Sequence, residues 1–128
     1  MADAPIREIE AGGLKFLVEY RNFGSDRGPA VRVLGKVGMN QVQVLRFDCF
    51  EDDPHYHYDP DNKNFQLHLH KDTVPDPVAW SLGELEVNLK TMLRTAGFDK
   101  LAANVDTDAI KSALPRIHGA IEELRAGA

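Results

Sequence analysis

Four of the five histidines in this chain lie within sixteen residues, as His55/His57 in PHYHYDP and His68/His70 in QLHLHKD, separated by the turn-forming stretch DPDNKN. Imidazole offers two chemistries near neutral pH. Its neutral nitrogen ligates Zn, Cu, Ni or Fe, and a reference pKa of about 6.5 lets one ring accept a proton while another donates one. Either use requires the rings to converge. If both segments are strands joined through a turn centred on Asp61-Asn62, a loop of two or four residues sets His55 opposite His68 and His57 opposite Gln66. All four imidazoles then share one face, while Tyr56, Tyr58, Phe65, Leu67 and Leu69 form an apolar surface on the other for helices to cover. A three-residue loop would mix histidine with leucine on both faces, so the hydrophobic pattern selects the even register.

Residues two apart on a strand are about 7 Å from each other, and directly opposed Cβ atoms about 5 Å. Three or four ring nitrogens can therefore meet one divalent ion at about 2.0–2.1 Å. The expected metal site is His55, His57, His68 and His70, with zinc the first candidate and Asp53 or Asp72 placed to add a carboxylate. Without a metal, the same face is set up for histidine acid–base chemistry, as in metal-free RNA cleavage, or is a plain solvated sheet face.

The elements that must position these rings follow from a change of apolar period. Leu14, Phe16, Val18 and Tyr20 alternate with Lys15 and Glu19, and Val31, Val33 and Val37 alternate with Arg32 and Lys36, which predicts two strands broken by NFGSDRGP. A tight loop at Gly38 to Asn40 leads into a third strand, Gln41 to Phe50. There Val42 and Val44 are apolar at even positions, but Leu45, Phe47 and Cys49 at odd ones. An extra bulge residue near Val44 accounts for the flip and puts Arg46 and Asp48 on the polar face. His55 to Asp59 and Asn64 to His70 complete a meander of about five strands over residues 14–70.

After Pro75 and Pro77 the period becomes helical. Ser81-Leu82-Gly83-Glu84 fits a capping box, and Leu82, Leu85, Leu89, Met92, Leu93 and Ala96 line one stripe, predicting a helix over 81–96 that Gly97 ends. Ile110, Leu114, Ile117, Ile121 and Leu124 predict a second over 107–126, kinked or broken at Pro115. The expected fold is a single α+β domain, 1–128, with an antiparallel sheet of about five strands covered on one face by two C-terminal helices.

Composition narrows the function without naming a substrate. The 128 residues carry a formal net charge of -5 and no run of Lys or Arg, so a general nucleic-acid footprint is not expected. No segment approaches about 18 apolar residues, which excludes a membrane-spanning helix. The start, MADAPIREIEAGG, resembles neither a signal peptide nor a myristoylation site, and Cys49 is the single cysteine, so a reducing cytoplasm is expected. Cys49 is in phase with Leu45 and Phe47 and reads as a buried, inert thiol. Trp80 reads as a core anchor, His118 as solvated, and Arg46 and Asp48 as an ion pair or an anion site.

The stretch Arg46-Phe47-Asp48-Cys49 followed by His55-Tyr56-His57-Tyr58 resembles a group of small prokaryotic domains with an Arg-(Phe/Tyr)-Asp strand, then a His-x-His strand, then one or two helices. That group is distantly similar to the TumE-type toxins of toxin–antitoxin pairs. The resemblance covers roughly residues 30–96 and carries over Arg46, Asp48, His55 and His57. It implies a curled antiparallel sheet packed on helices and, through the toxins, action on RNA. This chain departs from it in being acidic and in its extra C-terminal helix after Asp106. The functional expectation is a small binding or accessory protein, holding a divalent metal on its histidine face or docking on a protein partner or a second copy. The alternative is a metal- or histidine-dependent hydrolase such as a toxin-type ribonuclease.

Overall fold

The alternating first half forms six antiparallel strands in a computed structural model that describes residues 5–128. They are β1 (Arg7–Ala11), β2 (Leu14–Phe23), β3 (Asp26–Val37), β4 (Asn40–Asp48), β5 (His55–Tyr58) and β6 (Phe65–His68), and their order in the sheet is their order in the chain. The sheet is one strand larger than the expected five, because β1 pairs with β2 through a two-residue turn, Gly12-Gly13. Both glycines have positive φ, 62° and 90°, which side-chain-bearing residues adopt at a cost. The bulge is where the parity flip placed it: Val33 pairs with Leu45 but Leu34 with Gln43, leaving Val44 as the extra residue. His55 faces His68 and His57 faces Gln66, as expected. The loop between them, Asp59 to Asn64, has six residues instead of two or four, an even number that keeps the same register.

Pairing sorts the side chains into rows, because directly opposed residues share a face. On one face Phe16, Val33, Leu45, Tyr58 and Phe65 form a row, beside Val18, Val31, Phe47, Tyr56 and Leu67. On the other run Glu19, Ala30, Asp48, His55 and His68, beside Leu17, Arg32, Arg46, His57 and Gln66. The helices cover the first face only in part: Phe16, Val33, Leu45 and Phe47 are buried, but Phe65 at the edge strand is 58 % exposed, so the expected apolar surface is not covered to its end.

Four helices replace the expected two: α1 (Pro77–Val87), α2 (Leu89–Thr95), α3 (Asp99–Asn104) and α4 (Thr107–Ala126). The first starts at Pro77 and not at Ser81, because Asp76 accepts from the Ala79 N–H at 3.1 Å and Pro77 suits the first helical turn. Ser81 is thus inside the helix, where its hydroxyl donates to the Pro77 carbonyl, and the capping box is not formed. The run over 81–96 is interrupted at Asn88, whose ψ of 6° leaves the helical range. Helix α4 continues through Pro115. The proline removes one backbone donor, while Ile110, Ala113, Ile117, Ile121 and Leu124 all stay buried along the helix. Each large apolar side chain so buried contributes about 1.5–3 kcal/mol, enough together to outweigh a cost of about 3 kcal/mol for an interior proline. Helix α4 lies against β1 and β2, α3 against β3, and α2 against β5. Among the described residues, no helix is long and apolar enough to cross a membrane.

Candidate functional site

The row that carries the histidines is built around a buried carboxylate. Asp48 ends β4 with its side chain fully removed from solvent, opposite Ala30 on one side and His55 on the other. Arg21, opposite Gly28 of β3, reaches across from β2 to donate from Nη1 to Asp48 Oδ1 at 3.0 Å. Arg46 Nε donates to Asp48 Oδ2 at 3.1 Å. The Nε2 atoms of His55 and His57 approach the same oxygen at 3.0 and 3.1 Å. Burial pushes the Asp48 carboxyl up, but these donors and the Arg46 charge outweigh it and hold the group well below the usual carboxylate range.

His55 has acceptors at both ends. Its Nε2 meets the Asp48 carboxylate and its Nδ1 lies 2.8 Å from the Asp53 backbone carbonyl. Neither partner can donate, so both ring nitrogens must carry hydrogen and the ring is an imidazolium. Its pKa agrees: burial lowers it, but the hydrogen bonds to Asp48 and to the Asp53 carbonyl outweigh burial and raise it above 6.5. His57 is more enclosed, with Nδ1 at 2.7 Å from Asn64 Oδ1 and Nε2 at 3.1 Å from Arg46 Nη2 as well as from Asp48. Asn64 reaches it from the last loop position, held at a φ of 51°, a left-handed conformation that asparagine tolerates better than most residues.

One buried negative charge therefore faces three positive ones, those of Arg21, Arg46 and His55. Glu19 does not cancel the excess. It bridges Arg21 at 3.6 Å and Arg32 at 3.0 Å, bringing one more charge of each sign. Arg21, Arg46, Asp48 and His55 line a cavity of about 490 Å³ that Phe23 and Phe50 also wall. An arginine has five N–H donors, and internal acceptors use only some of those on Arg21 and Arg46. Asp26, Asp52 and Asp53 stand at the mouth. The Asp26 carboxylate is turned to the backbone N–H groups of Arg27, Asp52 and Asp53, and Asp53 pairs with His68 at 2.8 Å, so both are engaged within the protein.

The four histidines expected to share a metal are placed unequally. Two groups have ligand atoms within 4.8 Å of one another: Asp48 with His55 and His57, and Asp53 with His55 and His68. His70 is in neither; β6 ends at His68, and His70 lies exposed in the following turn, as does Asp72. In the inner group a guanidinium already holds the place a metal would need. Arg46 contacts two of the three ligand atoms, Asp48 Oδ2 and His57 Nε2, both at 3.1 Å. At such spacing two like charges repel by several kcal/mol, about 4 kcal/mol for a unit pair at 4 Å in a partly screened site.

The pattern of residue types pointed to Arg46, Asp48, His55 and His57 but missed Arg21, Phe23, Asn64 and Glu19. The signal for Arg21 lay in parity. Glu19, Arg21 and Phe23 are the odd positions of β2, out of phase with Phe16 and Val18, and so belong to the histidine face. Elsewhere, burial pushes the Cys49 thiol up to about 11, in keeping with an inert thiol, while His118 is exposed beside Glu122. Trp80 packs its ring on Phe47 and Tyr56, the anchor expected of it.

A family model described as a domain of unknown function (DUF7700) matches residues 8–121. No curated protein and no solved structure matches the chain.

Proposed function

The chain belongs to the DUF7700 family of domains of unknown function, and we propose that its Asp48-centred pocket binds a small anion, a carboxylate or a phosphate, with Arg46 and Arg21 as the cations that receive it. The observation that carries this reading is the charge balance of the floor: Arg21, Arg46 and the doubly hydrogen-bonded His55 against the single carboxylate of Asp48. Charge-assisted bonds from guanidinium to carboxylate or phosphate are the strong class of protein hydrogen bond, and a walled cavity limits their screening by water. A buried ion network of this kind adds little net stability relative to apolar packing, so stability alone does not account for it.

The geometry supports binding over hydrolysis. A toxin-type ribonuclease needs one histidine free to take a proton and another free to give one. Here the ring nitrogens of His55 and His57 are engaged by Asp48, the Asp53 carbonyl and Asn64. A thermal-shift series tests the proposal: inorganic phosphate or acetate at matched ionic strength should raise the melting temperature of the wild type and leave Arg46→Met unmoved. An equal shift in both, or none in either, would overturn it.

A second reading places a divalent ion, zinc first, on the outer group of Asp53, His55 and His68, favoured by the convergence of one ligand atom from each; the ion would take the place of one ring proton of His55. Elemental analysis of untagged protein decides it. About one equivalent of zinc, lost in His68→Ala, would establish the ion; less than about a tenth of an equivalent, unchanged by added metal, would remove it.

A further inference from the structure

Phe23 is out of place on the charged face. It stands at the end of β2 in phase with Glu19 and Arg21, is 66 % exposed, and sits at the mouth of the Asp48 cavity. A single exposed aromatic is ordinary by itself, but this one lies beside a second ring and a guanidinium at the edge of a cavity. Its neighbours are arranged around it. Phe50, itself 3 % exposed, presents a ring within 15° of parallel to that of Phe23, with centroids 6.5 Å apart. The Arg21 guanidinium carbon is 5.8 Å from one centroid and 5.9 Å from the other, so the cation that reaches Asp48 also lies against both rings. His55 meets the edge of Phe50 at 5.5 Å. Two aromatic rings thus line the cavity beside its cationic groups.

Resting on the anion-binding reading above, we propose that the ligand is an aromatic anion: a flat ring that packs on Phe23, which Phe50 backs, and carries its carboxylate or phosphate to Arg21 and Arg46. The two parts of the pocket then have separate jobs. The arginines hold the charged group and Phe23 supplies selectivity for a ring, because stacking and burial of a flat apolar face add to the ion pair without competing with it.

Calorimetric titration with two monoesters of the same charge separates these jobs. Phenyl phosphate should bind wild type about tenfold more tightly than methyl phosphate. Phe23→Ala should abolish that preference by lowering phenyl phosphate affinity to that of methyl phosphate, and a melting temperature close to that of the wild type reports that the exposed substitution has not disturbed the fold. Equal affinity for the two esters in the wild type, or a preference that survives Phe23→Ala, would overturn the aromatic inference and leave the anion site standing. Failure of both esters to bind the wild type would overturn the anion site and the inference with it.

Discussion

The two faces of this sheet bury their side chains by opposite means. On the helix-covered face Phe16, Val33, Leu45 and Phe47 are removed from water by other apolar groups, and any one of them can be exchanged for another of similar volume at modest cost. On the other face Asp48 and His57 are as deeply buried, at 1 % and 3 % exposure, but among charges and hydrogen bonds that must all be present together. Neighbouring rows of the same strands thus carry a core that tolerates change and a site that does not. The charged face keeps unspent arginine donors and, immediately around Asp48, more cations than anions, the two features on which the anion-binding proposal rests.

Substitutions on adjacent β4 residues put this difference under test. Asp48→Asn should cost about 3–5 kcal/mol in urea denaturation at pH 7, since it leaves the cations around it without their anion. Phe47→Ala should cost a similar amount, about 3–5 kcal/mol, by opening a cavity. The pH dependence tells the two apart. The folded-state pKa of Asp48 is depressed, so its contribution is present above the ordinary carboxylate value of 3.8 and is lost as pH falls below it. The gap between wild type and Asp48→Asn should therefore narrow below about pH 4, whereas the Phe47→Ala gap should not follow this titration. A constant Asp48→Asn gap would mean that the carboxylate contributes nothing specific.

His55 gives a smaller effect of opposite sign. Its folded pKa is raised, so its stabilising contribution is complete below 6.5 and is lost as pH rises through the higher folded value. Melting temperature should decline over that interval in the wild type, and His55→Gln should flatten the decline. An unchanged slope would contradict an imidazolium at this position. His68→Ala should change stability by no more than about 0.5 kcal/mol, because the His68–Asp53 pair is half-exposed on both sides. A larger loss would show that the charged network extends to the edge strand.

What was legible in the sequence was whatever a period or a parity encodes. The flip at Leu45 located the Val44 bulge, and the apolar residues around DPDNKN fixed the pairing of His55 with His68 through a loop of unexpected length. β1 was legible in the same way, since Ile9 and Ala11 alternate with Glu8 and Glu10 ahead of Gly12-Gly13, but only these two apolar residues mark it. The start of α1 was misplaced because two capping signals compete there, and Asp76 followed by Pro77 prevailed over Ser81. The site was harder to read. Local sequence gives the Arg-x-Asp and His-x-His spacings, but Arg21 joins them only by reaching across β3 from β2, a relation set by two strand pairings. The metal expectation treated the histidines as alike, whereas the fold seats His57 inside, His55 and His68 toward the rim, and His70 beyond the strand.

The most direct test of an anion-binding floor is a calorimetric titration of inorganic phosphate into wild type and Arg46→Met at low ionic strength. Saturable binding at one site, weakened at least about tenfold in the variant, equivalent to about 1.4 kcal/mol, is the expected result. No saturable heat in the wild type, or equal affinity in both proteins, would contradict it.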